Sequence, residues 1–140
     1  MAAERLKALD PVWIEEFVSS SDTLRVYKNG RLIFSSGKDR LAPLIDFLTD
    51  FKPEWGQACF LDKVVGNAAA LLMVKARCSE LYSDIGSELA ARTLHEAGIG
   101  FNFKLTVPFI INRRGDDMCP MEKLSLSKTP ESFWQALKST

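Results

Sequence analysis

Residues 58–84 read ACFLDKVVGNAAALLMVKARCSELYSD, and this stretch decides the fold. Ala58-Cys59-Phe60-Leu61 is a short, continuous apolar run bounded by Asp62. That pattern fits a strand buried on both faces. Val64-Val65-Gly66 leads into Asn67–Arg77, which is rich in Ala, Leu and Met and reads as a buried helix. Leu81-Tyr82-Ser83 reads as a second strand, ending at Asp84. Strand, helix and strand at this length make a right-handed crossover between parallel strands.

Downstream the pattern repeats. Ser87–Ala97 is the next helix, capped by Ser87 and stopped by Gly98. Phe101, Phe103, Leu105 and Val107 alternate as a strand, which Pro108–Ile111 either extends or follows as an edge element. Asn112–Glu122 is a polar loop, and Leu124-Ser125-Leu126 is expected as a last short strand. Thr129-Pro130-Glu131 opens a final helix that packs through Phe133, Trp134 and Leu137.

Upstream, Leu41, Leu44, Ile45, Leu48 and Phe51 have helical spacing, and Lys52-Pro53 ends that helix. Before it, Thr23–Lys28 and Arg31–Ser35 flank Asn29-Gly30. Asn-Gly favours the type I′ hairpin turn, in which both central residues need positive φ. Asp10-Pro11 starts a short amphipathic helix through Trp13, Ile14, Phe17 and Val18, with a frayed turn expected before it. The order is α, hairpin, α, then β-α-β-α-β, a loop and α. It predicts an α/β domain whose sheet is largely parallel with an antiparallel edge.

Composition bounds the function. Lys and Arg number 18, Asp and Glu number 18, and hydrophobic residues make up 46%. The chain is too apolar for disorder, and its length suits one domain. Neither half is a polycation, so no long nucleic acid is expected as a partner. Cys59, Cys78 and Cys119 form no zinc-ligand spacing with the single histidine, His95. Free thiols suggest a reducing compartment. The charged start MAAERLKALD is neither a leader nor a membrane span. A cytoplasmic protein with no membrane partner is expected.

Ligands of open α/β sheets bind beyond the carboxyl ends of the strands. Three turns are expected there: Asp62–Asn67, Asp84–Glu88 and Asn112–Glu122. Asn67 and Ser87 each begin a helix. Two such N-termini in one cleft favour an anion, and they also read as ordinary caps. Asp62 and Asp84 occupy matching strand ends, suited to a shared metal or proton, or to simple turn bonds. The third loop packs Arg113, Arg114, Asp116, Asp117, Cys119 and Glu122 into a few residues. It reads either as a functional loop or as a salt-bridged surface loop. His95 is expected as a solvated helix residue and Cys59 as core.

Two segments carry a resemblance. Val64–Leu72, and Val107 through Leu124, which reads VPFIINRRGDDMCPMEKL, resemble a small prokaryotic family of unknown function. Ser87-Glu88-Leu89-Ala90 is similar to that family at the second crossover helix. The likeness spans roughly residues 18–138. It implies a three-layer α-β-α, cytidine-deaminase-like fold: a mixed sheet with an antiparallel N-terminal hairpin and parallel strands joined by crossover helices. Residues 1–140 then form one such domain, with 1–20 as a helical extension. Zinc deaminases place H/C-x-E and P-C-x-x-C at two helix starts. Here those starts read Asn67-Ala68-Ala69-Ala70 and Ser87-Glu88-Leu89-Ala90, with no thiol or imidazole, so zinc deamination is not expected. The family pattern carries a basic residue where this chain has Asn67, which weakens a phosphate role there.

Three readings follow. The first is a domain that needs no cofactor and binds a nucleotide-like or phosphate-bearing ligand between the two crossover-helix starts, under the Asn112–Glu122 loop. Asp62, Asn67, Asp84, Ser87, Glu88, Asn112, Arg113, Asp116 and Asp117 are the candidate ligand-binding residues. Arg113 pairs with the anion, and Asp116 or Asp117 accepts from ribose or base. Asp116, Asp117 and Cys119 are the candidates for any catalysis. The second is a metal-dependent hydrolase or transferase using Asp62, Asp84, Asp116 and Asp117. The third is a homo-oligomeric scaffold with Trp13, Trp55 and Trp134 at an interface.

Overall fold

A computed structural model describes residues 7–139. The frayed turn expected before Asp10 lies partly outside them. The first helix, α1, spans Pro11–Val18, and Asp10 caps it by accepting the Val12 N–H at 2.9 Å. The hairpin follows as β1 (Leu24–Lys28) and β2 (Arg31–Ser36). Asn29 and Gly30 take φ of 53° and 77°, so the type I′ turn forms as the Asn-Gly pair predicts. Helix α2 covers Ala42–Asp50, and a 3-10 turn at Lys52–Glu54 ends it.

The crossover region holds β3 (Cys59–Val65), α3 (Asn67–Lys75), β4 (Glu80–Ser87), α4 (Glu88–Glu96) and β5 (Gly100–Val107). The strands lie in the order β2-β1-β3-β4-β5. β1 pairs antiparallel with both β2 and β3, while β3–β4 and β4–β5 are parallel. This is the mixed sheet the sequence predicts, with a helical layer on each face.

The two faces differ in thickness. Phe60, Leu81, Phe101 and Phe103 share a core with α2, α3, α4 and the last helix, α6 (Pro130–Lys138). On the other face, α1 and Leu9 just before it pack over Tyr27, Cys59, Leu61 and Tyr82, with Trp13 stacked on Tyr27 at 4.2 Å. Among the described residues no helix is long and apolar enough to cross a membrane.

Three expected boundaries change. Asp62 and Asp84 do not end their strands, which run on to Val65 and Ser87. The turns expected at Asp62–Asn67 and Asp84–Glu88 therefore do not exist. Only Gly66 separates β3 from α3, and Ser87 is both the last residue of β4 and the cap of α4. Pro108–Ile111 does not lengthen β5; Ile111 makes an isolated antiparallel bridge to Met118. The last short strand is instead helix α5, Pro120–Ser125. Proline at its first position presets the helical φ, and Ser125 Oγ bonds back to the Glu122 carbonyl at 2.6 Å.

Candidate functional site

A cleft of about 620 Å³ opens at the carboxyl end of β3. Its floor is Asp62 with Val64, Gly66 and the first turn of α3. One wall is the loop before α2, Asp39–Leu41; the other is the 110–122 segment. The interior is mainly apolar, from Leu41, Ala68, Ala69, Ile110 and Met121, while Arg40, Arg113 and Arg114 stand at the rim. An apolar throat with a few convergent polar groups is the usual form of a small-molecule site.

Asp62 is the unusual group. It is 8% exposed, and no cation among the described residues pairs with it. Its carboxyl meets the amides of Lys63 and Val64, the latter at 3.4 Å, yet burial pushes its pKa up to about 8. Asp62 therefore holds a proton at neutral pH. Neighbouring Lys63 does not relieve it, because its ammonium is committed to the other face. There Nζ donates to the carbonyls of Phe17, Val18 and Ser20 at 3.0, 3.3 and 3.1 Å and caps the end of α1.

Glu122 is the second buried carboxylate, 2% exposed. Its Oε1 accepts the Asn67 N–H at the start of α3, and its Oε2 accepts the Ile110 N–H at 2.8 Å. Helix α3 thus carries an anion at its N-terminus, supplied by the chain itself. Gly66 makes room for it: a Cβ there would lie 2.8 Å from Glu122 Oε1 and 2.9 Å from Ile110 Cγ1.

Asn67 sits behind the cleft wall rather than in it. Its side chain donates to Ser125 Oγ at 3.1 Å and accepts from Thr93, tying α3 to α5 and α4. Ser87 is wholly buried and caps α4 by accepting the Ala90 N–H at 3.0 Å. Glu88 is exposed and lies away from the cleft. The Asn67 and Ser87 helix starts therefore do not form an open pair of anion sites.

Asp84 is one residue out of step with Asp62, which pairs with Ser83. Successive strand residues face opposite ways. Asp84 accepts the Tyr82 hydroxyl at 3.0 Å on the α1 face, so the two aspartates share neither metal nor proton. Asp116 and Asp117 lie on the outer side of the 110–119 hairpin, off the cleft. Asp116 accepts from Asn112 at 2.9 Å and stands 3.8 Å from Arg114; Asp117 pairs with Lys123, which lowers its pKa. Asn112 shapes this turn, its Oδ1 accepting the Gly115 N–H at 2.8 Å. Among the described residues no three His, Cys, Asp or Glu side chains converge as a metal set.

Of the predicted site residues, the cleft holds Asp62, Asn112, Arg113 and Cys119. Arg113 is 73% exposed and reaches across the mouth to Asp39 at 3.9 Å. Cys119 is half-buried on the wall, its N–H bonded to the Ile110 carbonyl at 2.8 Å. His95 is exposed on α4; Cys59 and Cys78 are buried, and burial raises both thiol pKa values. Trp13 is half-buried and stacks on Tyr27, and Trp134 is buried in the main core. The sequence places Glu122 in the charged loop but not among the candidate site residues, and it gives Arg40 no role and Leu41 only a helix-packing one. Cys119-Pro120 followed by Glu122 is a helix-start pattern, and reading it so would have placed Glu122 in a first turn.

Comparison with known proteins adds a family. The model described as TM1506, domain of unknown function DUF1893, matches residues 14–140. A crystal structure of a DUF1893 family protein from Thermotoga maritima is similar to this chain at 28% identity. Its TM-score is 0.86, and the match covers 98% of this chain and 92% of that one. No curated protein matches.

Proposed function

The chain belongs to the DUF1893 family of unknown function, and from that premise we propose that its cleft binds a small nucleotide-like molecule. The observation that carries this reading is Asp62, a carboxyl buried without a cation partner among the described residues at the floor of a mainly apolar cleft, where burial pushes it toward the protonated form. A protonated carboxyl both donates and accepts, which matches the paired donor and acceptor on the edge of a nucleobase. The apolar throat suits a planar ring, and the Arg40, Arg113 and Arg114 rim suits a phosphate. The phosphate sits at this rim and not at the start of α3, where Glu122 already accepts the Asn67 N–H.

The same reading takes the fold as cytidine-deaminase-like. Helices α3 and α4 start at the ends of adjacent parallel strands, the arrangement in which zinc deaminases carry their ligands. Asn67 with Ala68–Ala70, and Ser87 with Glu88, offer neither thiol nor imidazole there. The proposal is therefore binding without zinc deamination.

Thermal unfolding with a panel of nucleosides and nucleotides tests it. A nucleotide is expected to raise the unfolding temperature with concentration, since a ligand of the native state stabilises it. The matching nucleoside is expected to act more weakly, and Arg113→Ala to shrink the difference between them. Binding is expected to weaken above pH 8, where Asp62 ionises. A panel that moves nothing overturns the proposal.

A further inference from the structure

The mouth of the β3 cleft carries an uneven charge. Three guanidiniums, Arg40, Arg113 and Arg114, stand there with one carboxylate, Asp39, among the lining residues. The two other lining carboxyls add no free charge. Asp62 keeps its proton, and Glu122 gives both oxygens to backbone amides. The lining ammonium, Lys63, is engaged on the other face of the sheet. The three arginines are not equivalent. Arg113 is shared with Asp39 across the mouth at 3.9 Å, and Arg114 leans outward to Asp116 at 3.8 Å. Among the described residues, Arg40 has no carboxylate within ion-pair distance. Its φ of 57° is left-handed, a costly backbone for a residue with a Cβ. Such conformations persist where the surroundings dictate them, and they gather at ligand clamps. Here the clamp would be an unpaired guanidinium above an apolar throat with a buried carboxyl at its floor.

We propose, resting on the nucleotide reading above, that this cleft takes a nucleoside monophosphate, with Arg40 holding the phosphoryl group and Asp39 disfavouring longer phosphate chains. A phosphomonoester has close to two negative charges at neutral pH, which matches three guanidiniums against one carboxylate. A guanidinium meets two phosphoryl oxygens at once, so one unpaired arginine suffices for one group. A second and a third phosphate find no unpaired cation. Arg113 and Arg114 each have an acid beside them, and Asp39 and Asp116 repel the added charge. The two ends of the ligand are then read separately, the base by Asp62 and the phosphate by Arg40.

The test is calorimetric titration of the full chain with adenosine, guanosine, cytidine and uridine and with their 5′-mono-, di- and triphosphates. EDTA is included, so that no divalent cation masks the phosphate charge. For a base that binds, the monophosphate is expected to be about tenfold tighter than the nucleoside, and the triphosphate weaker than the monophosphate. Arg40→Gln, at an exposed position, is expected to bring the monophosphate down to the affinity of the nucleoside, a larger loss than Arg113→Ala gives. Asp39→Asn is expected to narrow the gap between triphosphate and monophosphate. Four results overturn the proposal: a monophosphate no tighter than its nucleoside, a triphosphate tighter than its monophosphate, an advantage of the monophosphate that survives Arg40→Gln, or a gap unchanged in Asp39→Asn. In each of them the nucleoside still binds, so the nucleotide reading stands while this inference falls. Silence of every nucleoside and nucleotide removes both.

Discussion

Asp62 and Glu122 are two carboxyl groups on the same cleft, both buried, with opposite roles. Glu122 gives both oxygens to backbone amides, one of them at a helix start. Its charge joins three separate pieces of chain: the start of α3, the 110 loop and α5. Asp62 meets only the amides of its own strand, and its natural partner Lys63 is engaged on the other face. Burial then outweighs its hydrogen bonds and the proton stays on. The lesson is that burial alone does not mark a functional carboxylate. What separates the two is whether the fold meets the charge, and the group left unmet is the one available to a ligand.

The largest test of this contrast is Glu122→Ala. It strands the buried Asn67 N–H and the part-buried Ile110 N–H and is expected to lower stability by about 2–4 kcal/mol in chemical denaturation. A loss near zero would erase the distinction. Next is the pH dependence carried by Asp62. Its folded pKa is raised to about 8. The native state therefore keeps a proton that the unfolded chain releases near pH 4, so this contribution to stability is present at low pH and fades as pH rises toward 8. Wild type should lose roughly 5 kcal/mol from this group between pH 4 and 8, and Asp62→Asn should flatten the slope and exceed wild type at pH 8. Gly66→Ala pushes a Cβ against Glu122 and Ile110 and is expected to cost about 1–3 kcal/mol. Smallest of all, Asp116→Ala and Asp117→Ala are expected to leave the unfolding midpoint essentially unchanged and nucleotide-induced stabilisation intact. A large effect from either would return function to the loop's outer side.

Local rules made much of the fold legible. Asn29-Gly30 announced its turn, Asp10 and Ser87 their caps, and the two crossovers their parallel strands. The strand ends differ for one reason: aspartate propensity points to a turn at Asp62 and Asp84. Inside the sheet, a neutral carboxyl and a tyrosine hydroxyl let each strand continue past its aspartate. The candidate site was less legible. Asp62 and Arg113 were named, but the matching of Asp62 with Asp84 depends on register, which a single-residue offset reverses. Glu122 was out of reach because its partners lie 55 and 12 residues away in the chain. Asp116 and Asp117 looked concentrated for chemistry, yet each finds a partner within a few residues of itself.

A titration of the Asp62 carboxyl carbon by 13C NMR, assigned through the Asp62→Asn variant, reads the central claim directly. The account predicts a midpoint near pH 8, with the carboxyl protonated at neutral pH. A midpoint below about pH 5, in the ordinary range for aspartate, would contradict it.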